Sequence, residues 1–571
     1  MKAQSVSRYL SLTLLLTLVY ELVLSFQGFD LCDEGAALTF SQQIYKCPDS
    51  VRYYFVYYLG GFVGGIWNIL FGWGGILSFR IFTVITLVLT VYFTCLSLGK
   101  LVRPVVIPVA TFFVLLMSNF GIMVFFHDYL TALFVAVSVY FLLKGLNESK
   151  FMYLFWAAFF CGINIFTRIP NITMLALGLL LFVDYSYEKN ARRLGLNILS
   201  CLAGVWAGVV LVFLLMLVLG HWEIFLQATG NLFSKGTGSD SPHNLTSLLW
   251  VYAGNYKNIY ITMSVFVFTV FFLCYMYNSF KHQWLKIVTI CCFAGMIIYF
   301  ILFAFNNEKY YGIILFPLLI SCFVDRRNKP ITLLNCAALI VMFFLPLGSD
   351  IGVLNMGYFC VWPATFASVF HVYRFIRSKM GNGNRSYRVF FLIFGLLYGV
   401  YGLYVVARNA YSDRGPRWEK RFRADNDKFT VFTSEAKAQA MDELLSELKK
   451  HVRKDDYLFC YESLPMIHYL TETKPYTGNP WVWVYDSESF KRNLDLAVAH
   501  IPLPVVLRQK CQPIGGYWTV PVSMNVQDYE SKGLYDYYYK QGSLDYFEKF
   551  LHNNQYQVVW ENNLFTIYLV R

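Results

Sequence analysis

The chain has 571 residues, of which 57% are hydrophobic, 19% aromatic and only 14% charged, with a formal net charge of +12. Length alone would suggest several soluble domains, but this composition excludes an ordinary soluble protein and points to a polytopic membrane protein. The positive charge does not call for nucleic acid, because Lys and Arg gather in short loops between apolar runs, where they orient membrane helices.

The first apolar run, Leu10 to Ser25, follows Lys2 and Arg8 and resembles a signal peptide at its start. No A-x-A-like cleavage site follows it, and it is long for such a peptide, so it reads as a retained first span. Phe79 to Leu98, Leu196 to Leu219 and Ile259 to Tyr275 are also long enough, or nearly so, to cross about 30 Å of hydrocarbon. Hydropathy places thirteen spans near 9–26, 76–98, 103–120, 128–145, 151–167, 170–184, 195–220, 258–279, 285–305, 310–324, 331–347, 356–376 and 387–407.

Alternate loops carry the basic residues: Lys2 and Arg8, Lys100 and Arg103, Lys144 and Lys150, Lys189 to Arg193, Lys281 and Lys286, Arg326 to Lys329, and Arg374 to Arg388. That bias places the N-terminus in the cytoplasm and everything after Arg408 outside; a cell inner membrane is the expected location. The same assignment gathers Asp33 and Glu34, His127 and Asp128, Arg168, Glu308 and Lys309, and Asp350 at the external ends of the helices. Polar groups from many helices collected at one face are what a site at a membrane surface requires.

The first external loop, "FDLCDEGAALTFSQQIYKCPDS", opens with Asp30, Asp33 and Glu34. Ala36, Ala37, Phe40, Ile44 and Tyr45 approximate one helical face, and Phe55, Tyr58, Leu59, Phe62 and Ile66 another, which predicts two amphipathic helices lying in the interface. Asp33 and Glu34 then either favour the N-terminus of the first of these or do chemistry.

After the last span the pattern changes. Ser434 to Val452 has helical periodicity, Tyr457–Tyr461 and Pro504–Leu507 read as strands, and Tyr546–Leu551 as helix. Gln557–Trp560 and Leu564–Val570 read as a hairpin across Asn562 and Asn563. The division is therefore 1–424, a membrane domain, and 425–571, a small external α/β domain. Of the thirteen cysteines, the external Cys32, Cys47, Cys460 and Cys511 are candidates for the disulfides Cys32–Cys47 and Cys460–Cys511. No C-x-x-C or His pair with metal-ligand spacing occurs.

"CDEGAALTFSQQI" followed by "SVRYYFVYYLGGFVGGIWNILFGWGGILSFRIFTVI" resembles the opening of the polytopic GT-C glycosyltransferases, in the branch of protein O-mannosyltransferases and lipid A aminoarabinose transferases. An acidic pair, an aromatic-rich stretch, a Phe-Gly and an Arg entering the second span correspond to Asp33-Glu34, Tyr53–Tyr58, Phe71-Gly72 and Arg80. The basic residue that the aminoarabinose transferases carry two positions after the pair is Ala36 here. The resemblance implies a metal-independent inverting enzyme that moves a sugar from a polyprenyl-phosphate carrier in the membrane lipid to a hydroxyl acceptor on protein, lipid or glycan. No cofactor is implied and a divalent metal is not favoured.

In that chemistry Asp33 is the candidate base, and Glu34 orients the loop or acceptor. Arg168, Lys309 and Lys235, in that order, are the cations for the departing phosphate. Each has a plainer reading: Arg168 snorkels, Lys309 pairs with Glu308, Lys235 is solvated. His127 and Asp128 either cap a helix or add a second acidic group to the cavity. Asp350, in the glycine-bearing "LPLGSDIGVLNMGYF", either wraps substrate or marks a turn. A transporter would bury its polar groups near the middle of the membrane, which argues against that rival; an O-antigen polymerase or ligase is the nearer one.

The charge bias makes a topology prediction. A cysteine placed at 379–385 should be shielded from an impermeant thiol reagent in intact cells, and one placed on the surface of 425–571 should be labelled; the reverse pattern would invert the chain and the site with it.

Overall fold

The computed structural model describes residues 2–101, 103–116, 123–235, 245–304, 307–347, 352–353, 361–380, 385–511, 518–519 and 541–571. Its membrane part consists of α1 (Lys2–Ser25), α2 (Asp33–Gln43), α3 (Tyr58–Phe71), α4 (Gly75–Leu98), α5 (Val106–Leu115), α6 (His127–Glu148), α7 (Phe151–Asn164), α8 (Leu179–Glu188), α9 (Ala191–Val218), α10 (Trp222–Lys235), α11 (Leu245–Ser279), α12 (Gln283–Tyr299), α13 (Asn307–Val324), α14 (Lys329–Phe344), α15 (Val361–Met380) and α16 (Arg385–Arg408). Two 3-10 stretches, Pro48–Tyr57 and Ile169–Gly178, lead into α3 and α8. Eight helical segments among the described residues are long and apolar enough to cross a membrane; α5, α7 and α14 are apolar but shorter.

The helices pack as lipid-facing helices do, with small residues inward and large apolar ones outward. On α9, Gly204 and Gly208 lie against the Phe155 and Phe159 carbonyls of α7, where an added Cβ would stand 2.2 and 2.4 Å from oxygen. The opposite face of α9 leaves Leu199, Leu202 and Trp206 exposed. In water such a face would be a liability; in hydrocarbon it costs nothing.

The loop after α1 departs from the sequence expectation. Every residue of α2 from Glu34 to Gln43 is buried, so α2 is not an amphipathic helix with one face in the interface. It is enclosed by α3 on one side and the tail on the other. Its contacts with α3 run through glycine: a Cβ on Gly61 would meet Phe40 at 2.1 Å, and one on Gly65 would meet Ile44 at 2.7 Å. α3 itself keeps an outer apolar face, with Ile69, Leu70 and the following Trp73 exposed.

The tail begins with a short antiparallel pair, β1 (Asn409–Ala410) and β2 (Asp413–Arg414). It continues through α17 (Glu435–His451), β3 (Tyr457–Tyr461), α18 (Pro465–Thr471), β4 (Lys474–Pro475), α19 (Ser487–His500), β5 (Val505–Gln509), α20 (Gln541–Asn553), β6 (Tyr556–Glu561) and β7 (Phe565–Val570). The sheet order is β4-β3-β5-β7-β6. β3 is parallel to both β4 and β5, while β5–β7 and β7–β6 are antiparallel. α17 shows why it forms: Ala438, Met441, Leu444, Leu445 and Leu448 fill the buried face, Glu435 opens it, and Lys449, Lys450 and His451 close it.

The tail is tied to the membrane part along α2. Thr39 donates to the Pro465 carbonyl at 2.9 Å, Gln42 to that of Tyr469 at 3.2 Å and Gln43 to that of Thr473 at 3.2 Å. The Met466 N–H donates to the Leu31 carbonyl at 3.0 Å, and Ile76 donates to Lys428 at 3.0 Å.

The cysteine pairings proposed from sequence do not form; all four residues are free thiols. Cys32 and Cys47 flank the 11 residues of α2, about 16 Å of helix, whereas bridged Cα atoms lie within about 7 Å. Cys460 pairs with Leu507, which leaves Cys511 about 13 Å further along an extended chain.

Gly35 is the tightest point of the seam, since an added Cβ would lie 2.1 Å from the Met466 nitrogen. Gly35→Ala should therefore cost about 1–3 kcal/mol, whereas Gly230→Ala, whose Cβ meets nothing within 4 Å, should be neutral or slightly stabilising. Thermal unfolding of the purified variants checks the contrast.

Candidate functional site

The α2 N-terminus is built around carboxylates. Asp30, 2% exposed, accepts the backbone N–H groups of Cys32 at 3.1 Å and Glu34 at 2.9 Å, so it satisfies donors that the first turn of α2 leaves open. Glu34, 1% exposed, forms an ion pair with Arg80 at 2.8 Å and accepts the Met123 N–H at 3.1 Å. Arg80 lies on α4 and is equally buried; it also donates to the carbonyls of Ser25 at 2.9 Å, Gln27 at 3.2 Å and Gly28 at 2.8 Å. Glu34 and Asp30 are thereby occupied in holding the loop.

Asp33, between them in the chain, is the partly exposed member of this group. Tyr411, just after β1, donates its hydroxyl to Asp33 Oδ2. Burial raises the proton affinity of Asp33 most; the Tyr411 hydrogen bond lowers it, and Asp128 and Glu34 raise it, for a net pKa above the ordinary carboxylate value. Asp30 is raised too, first by burial and then by Asp33 and Glu34, against the pull of its two backbone N–H donors. Three carboxylates in so small a volume repel one another, and Arg80 compensates Glu34 directly.

The second acidic element of the sequence reading joins this site. His127 and Asp128 open α6, with His127 Nε2 3.2 Å from Asp128 Oδ1 and both residues buried. The imidazole stacks on Tyr57 with centroids 3.9 Å apart and planes at 9°. Gly60 allows this approach, since a Cβ there would lie 3.2 Å from His127 Cβ. Tyr54 lies within electrostatic reach of Asp33, and so does Asp128.

Arg168 is buried at the start of the Ile169–Gly178 stretch. Its carbonyl accepts the Asn171 N–H at 2.8 Å, and Asn171 donates to Thr131, one turn below Asp128 on α6, at 2.8 Å. Phe166 accepts the Leu59 N–H at 2.9 Å, next to Gly60. The backbone around Arg168 is thus fixed beside the His127–Asp128 turn.

Glu308 and Lys309 gather elsewhere. Lys309 Nζ is 3.7 Å from Glu308 Oε2, and Asn255 of α11 donates to Glu308 Oε1 at 2.9 Å while accepting the Val353 N–H at 3.2 Å. Asp350 and the side chain of Lys235 lie outside the described residues.

Sequence reasoning passed over the tail side of the site. Asp413, fully buried, accepts Lys420 and Lys437 at 2.9 Å each, Thr433 at 2.7 Å and the Phe29 N–H at 2.9 Å. Burial opposes its charge, but Lys437 and Lys420 outweigh that and hold its carboxyl below the usual range. This hub anchors the segment that bears Tyr411 to the loop that bears Asp33. A buried lysine pair cannot be recognised locally, because Lys420 and Lys437 look like solvent-facing charges in the sequence; the "YSDRG" turn was the only available signal. Among the described residues no group of three or more His, Cys, Asp or Glu side chains converges as a metal site.

Removing Arg80 would strand Glu34 in a buried environment. Arg80→Ala should destabilise the protein by about 3–5 kcal/mol, and denaturant unfolding of the purified chain measures it. No protein-family model matches the chain, and no curated protein does so.

Proposed function

We propose that the protein is an integral membrane glycosyltransferase that moves a sugar from a polyprenyl-phosphate carrier to a hydroxyl acceptor at the external face of the membrane. The observation that carries this reading is Asp33: a partly exposed carboxylate, held by Tyr411, among carboxylates that are buried and already engaged. Its raised proton affinity brings it nearer neutral pH, where a general base is most effective.

In the proposed reaction the acceptor oxygen attacks the anomeric carbon from the face opposite the carrier phosphate. The new C–O bond forms as the bond to the phosphate oxygen breaks, the hydroxyl proton passes to Asp33, and the bond's electron pair leaves with the polyprenyl phosphate. The anomeric centre inverts. The charge that develops on the phosphate needs a nearby cation, and Arg168, buried beside the His127–Asp128 turn, is the residue we assign to it. Lys309, next to Glu308 in its own cluster, comes second. Asp128 and His127 belong to the same polar neighbourhood and support acceptor or sugar hydroxyls in this reading.

Asp33→Asn keeps the shape and hydrogen-bonding reach of the side chain but cannot take a proton. Turnover should fall by about two to four orders of magnitude, with donor binding retained. Glu34→Gln should lose less turnover directly and show its effect in stability instead. In the unaltered enzyme the acid limb of the pH profile should lie above that of an ordinary carboxylate, because activity is lost as pH falls through the raised pKa of Asp33. Full turnover by a folded Asp33→Asn protein would remove Asp33 from the reaction.

A further inference from the structure

At the end of the bundle away from the tail, one turn carries two unmatched charges. α6 runs for 22 residues from His127, beside the candidate site, to Glu148, a length of about 33 Å. Near its far end the Leu146 carbonyl accepts from Arg193 at 3.0 Å, and Arg193 lies 3.4 Å from Asp184 on α8. Lys329, the first residue of α14, lies 2.7 Å from the same Asp184 and also pairs with Glu188. The turn between α13 and α14 is therefore at the opposite end of the membrane part from Asp33.

That turn is pinned on every side. The Asp325 carbonyl accepts the Asn328 N–H at 2.8 Å, so Arg326 and Arg327 occupy the two central positions of a β-turn, and both are exposed. Tyr187 donates its hydroxyl to the Arg326 carbonyl, and Thr332 donates to that of Asp325 at 3.3 Å. The Asp325 carboxylate is taken by Arg374 at 2.8 and 2.9 Å and by Ser321 at 2.8 Å. Lys329 is likewise matched by Asp184 and Glu188. Among the described residues no ion pair takes Arg326 or Arg327.

The turn borders a groove. An open cavity of about 430 Å³ is lined by Val324, Asp325, Arg327, Asn328, Lys329 and Pro330. On the last turns of α13, Ile320, Phe323 and Val324 are 51%, 80% and 74% exposed. Their i, i+3, i+4 spacing makes one apolar stripe that ends at the groove.

A soluble anion would meet the arginines and leave the stripe unused. An amphiphile fits both: its chain lies along the stripe while its phosphate oxygens meet a guanidinium fork. The charge of the head group then decides the lipid class. Because Asp325, Asp184 and Glu188 are engaged, an ammonium on a zwitterionic head group would meet Arg326 and Arg327 as like charges. A phosphodiester without an ammonium meets them as a counter-charge.

We propose that the α13–α14 turn is a binding site for one anionic phospholipid of the leaflet opposite the candidate active site. Its phosphate sits on Arg327 with Arg326 beside it, and its chain covers Ile320, Phe323 and Val324. The assignment rests on the membrane character of the bundle and is independent of the transferase reading.

The test uses the full-length chain in nanodiscs doped with phosphatidylglycerol or phosphatidylcholine, each carrying the same photoreactive acyl chain, with cross-links mapped by peptide mass spectrometry. Labelling of Ile320–Val324 by phosphatidylglycerol should exceed that by phosphatidylcholine about fivefold or more, the worth of roughly one interfacial arginine. The control is the exposed stripe of Trp284, Ile287 and Val288 on α12, which lies beside Lys281 and Lys286; there the preference should stay within about twofold. Arg326→Gln combined with Arg327→Gln should lower the α13 preference to that of the control, with an unchanged unfolding midpoint. Excess glycerol phosphate in solution should not compete. Equal labelling of Ile320–Val324 by the two lipids, or the same preference at both stripes, overturns the site on the unaltered chain alone, whether or not the double variant folds. A preference that the folded double variant retains overturns it as well. Displacement by glycerol phosphate would show a site for free phosphate and overturn the lipid assignment.

Discussion

The arrangement around the candidate site depends on the burial of one guanidinium. Arg80 enters α4 at 1% exposure, where an uncompensated charge would not be tolerated. The chain supplies three carbonyls from the exit of α1 and the Glu34 carboxylate from the start of α2. Satisfying Arg80 therefore fixes the angle at which the chain leaves the first helix and begins the next. Asp33 precedes Glu34 by one residue, so its position follows from the same constraint. The ion pair's value is geometric: desolvation offsets much of its Coulombic gain, and what it contributes is the orientation of the loop.

The tail completes the arrangement from the other side. Asp413 pairs with two buried lysines and with the backbone of Phe29, and the segment it anchors delivers the Tyr411 hydroxyl to Asp33 across 378 residues of sequence. α2 is thus held between two ionic anchors, Arg80–Glu34 in the membrane part and Asp413–Lys420–Lys437 in the tail. The tail is a wall of the site. A change that loosens it, such as one that separates α18 from α2, should disturb Asp33 without touching it.

Local structure was readable where local physics decides it. The apolar spacing of Ala438, Met441, Leu444 and Leu448 gives α17, the β-rich run Tyr457–Tyr461 coincides with β3, and the Asn562 turn links β6 to β7. The apolar runs likewise mark the helices of the membrane part, although among the described residues eight of the segments are long and apolar enough to cross on that basis alone. What the sequence concealed was enclosure. The periodicity of Ala36 to Tyr45 suits a helix with one apolar face, yet Ser41, Gln42 and Gln43 are buried: the tail supplies partners for Gln42 and Gln43, and Ser41 donates to the Ala37 carbonyl of its own helix. Asp33, Glu34, His127 and Asp128 were legible as a group because they cluster at helix starts. Tyr411 and Asp413 were not, since each acquires its role only when the tail folds back on the first loop.

The most direct test of the account is made on the purified chain in proteoliposomes containing anomerically defined, isotopically labelled polyprenyl-phosphate sugars, with cell-envelope glycans supplied as acceptors. The account predicts transfer of label from the carrier to the acceptor, with inversion at the anomeric carbon and polyprenyl phosphate as the second product. A folded chain that leaves every such donor intact, or that transfers the sugar with retained configuration, would contradict it.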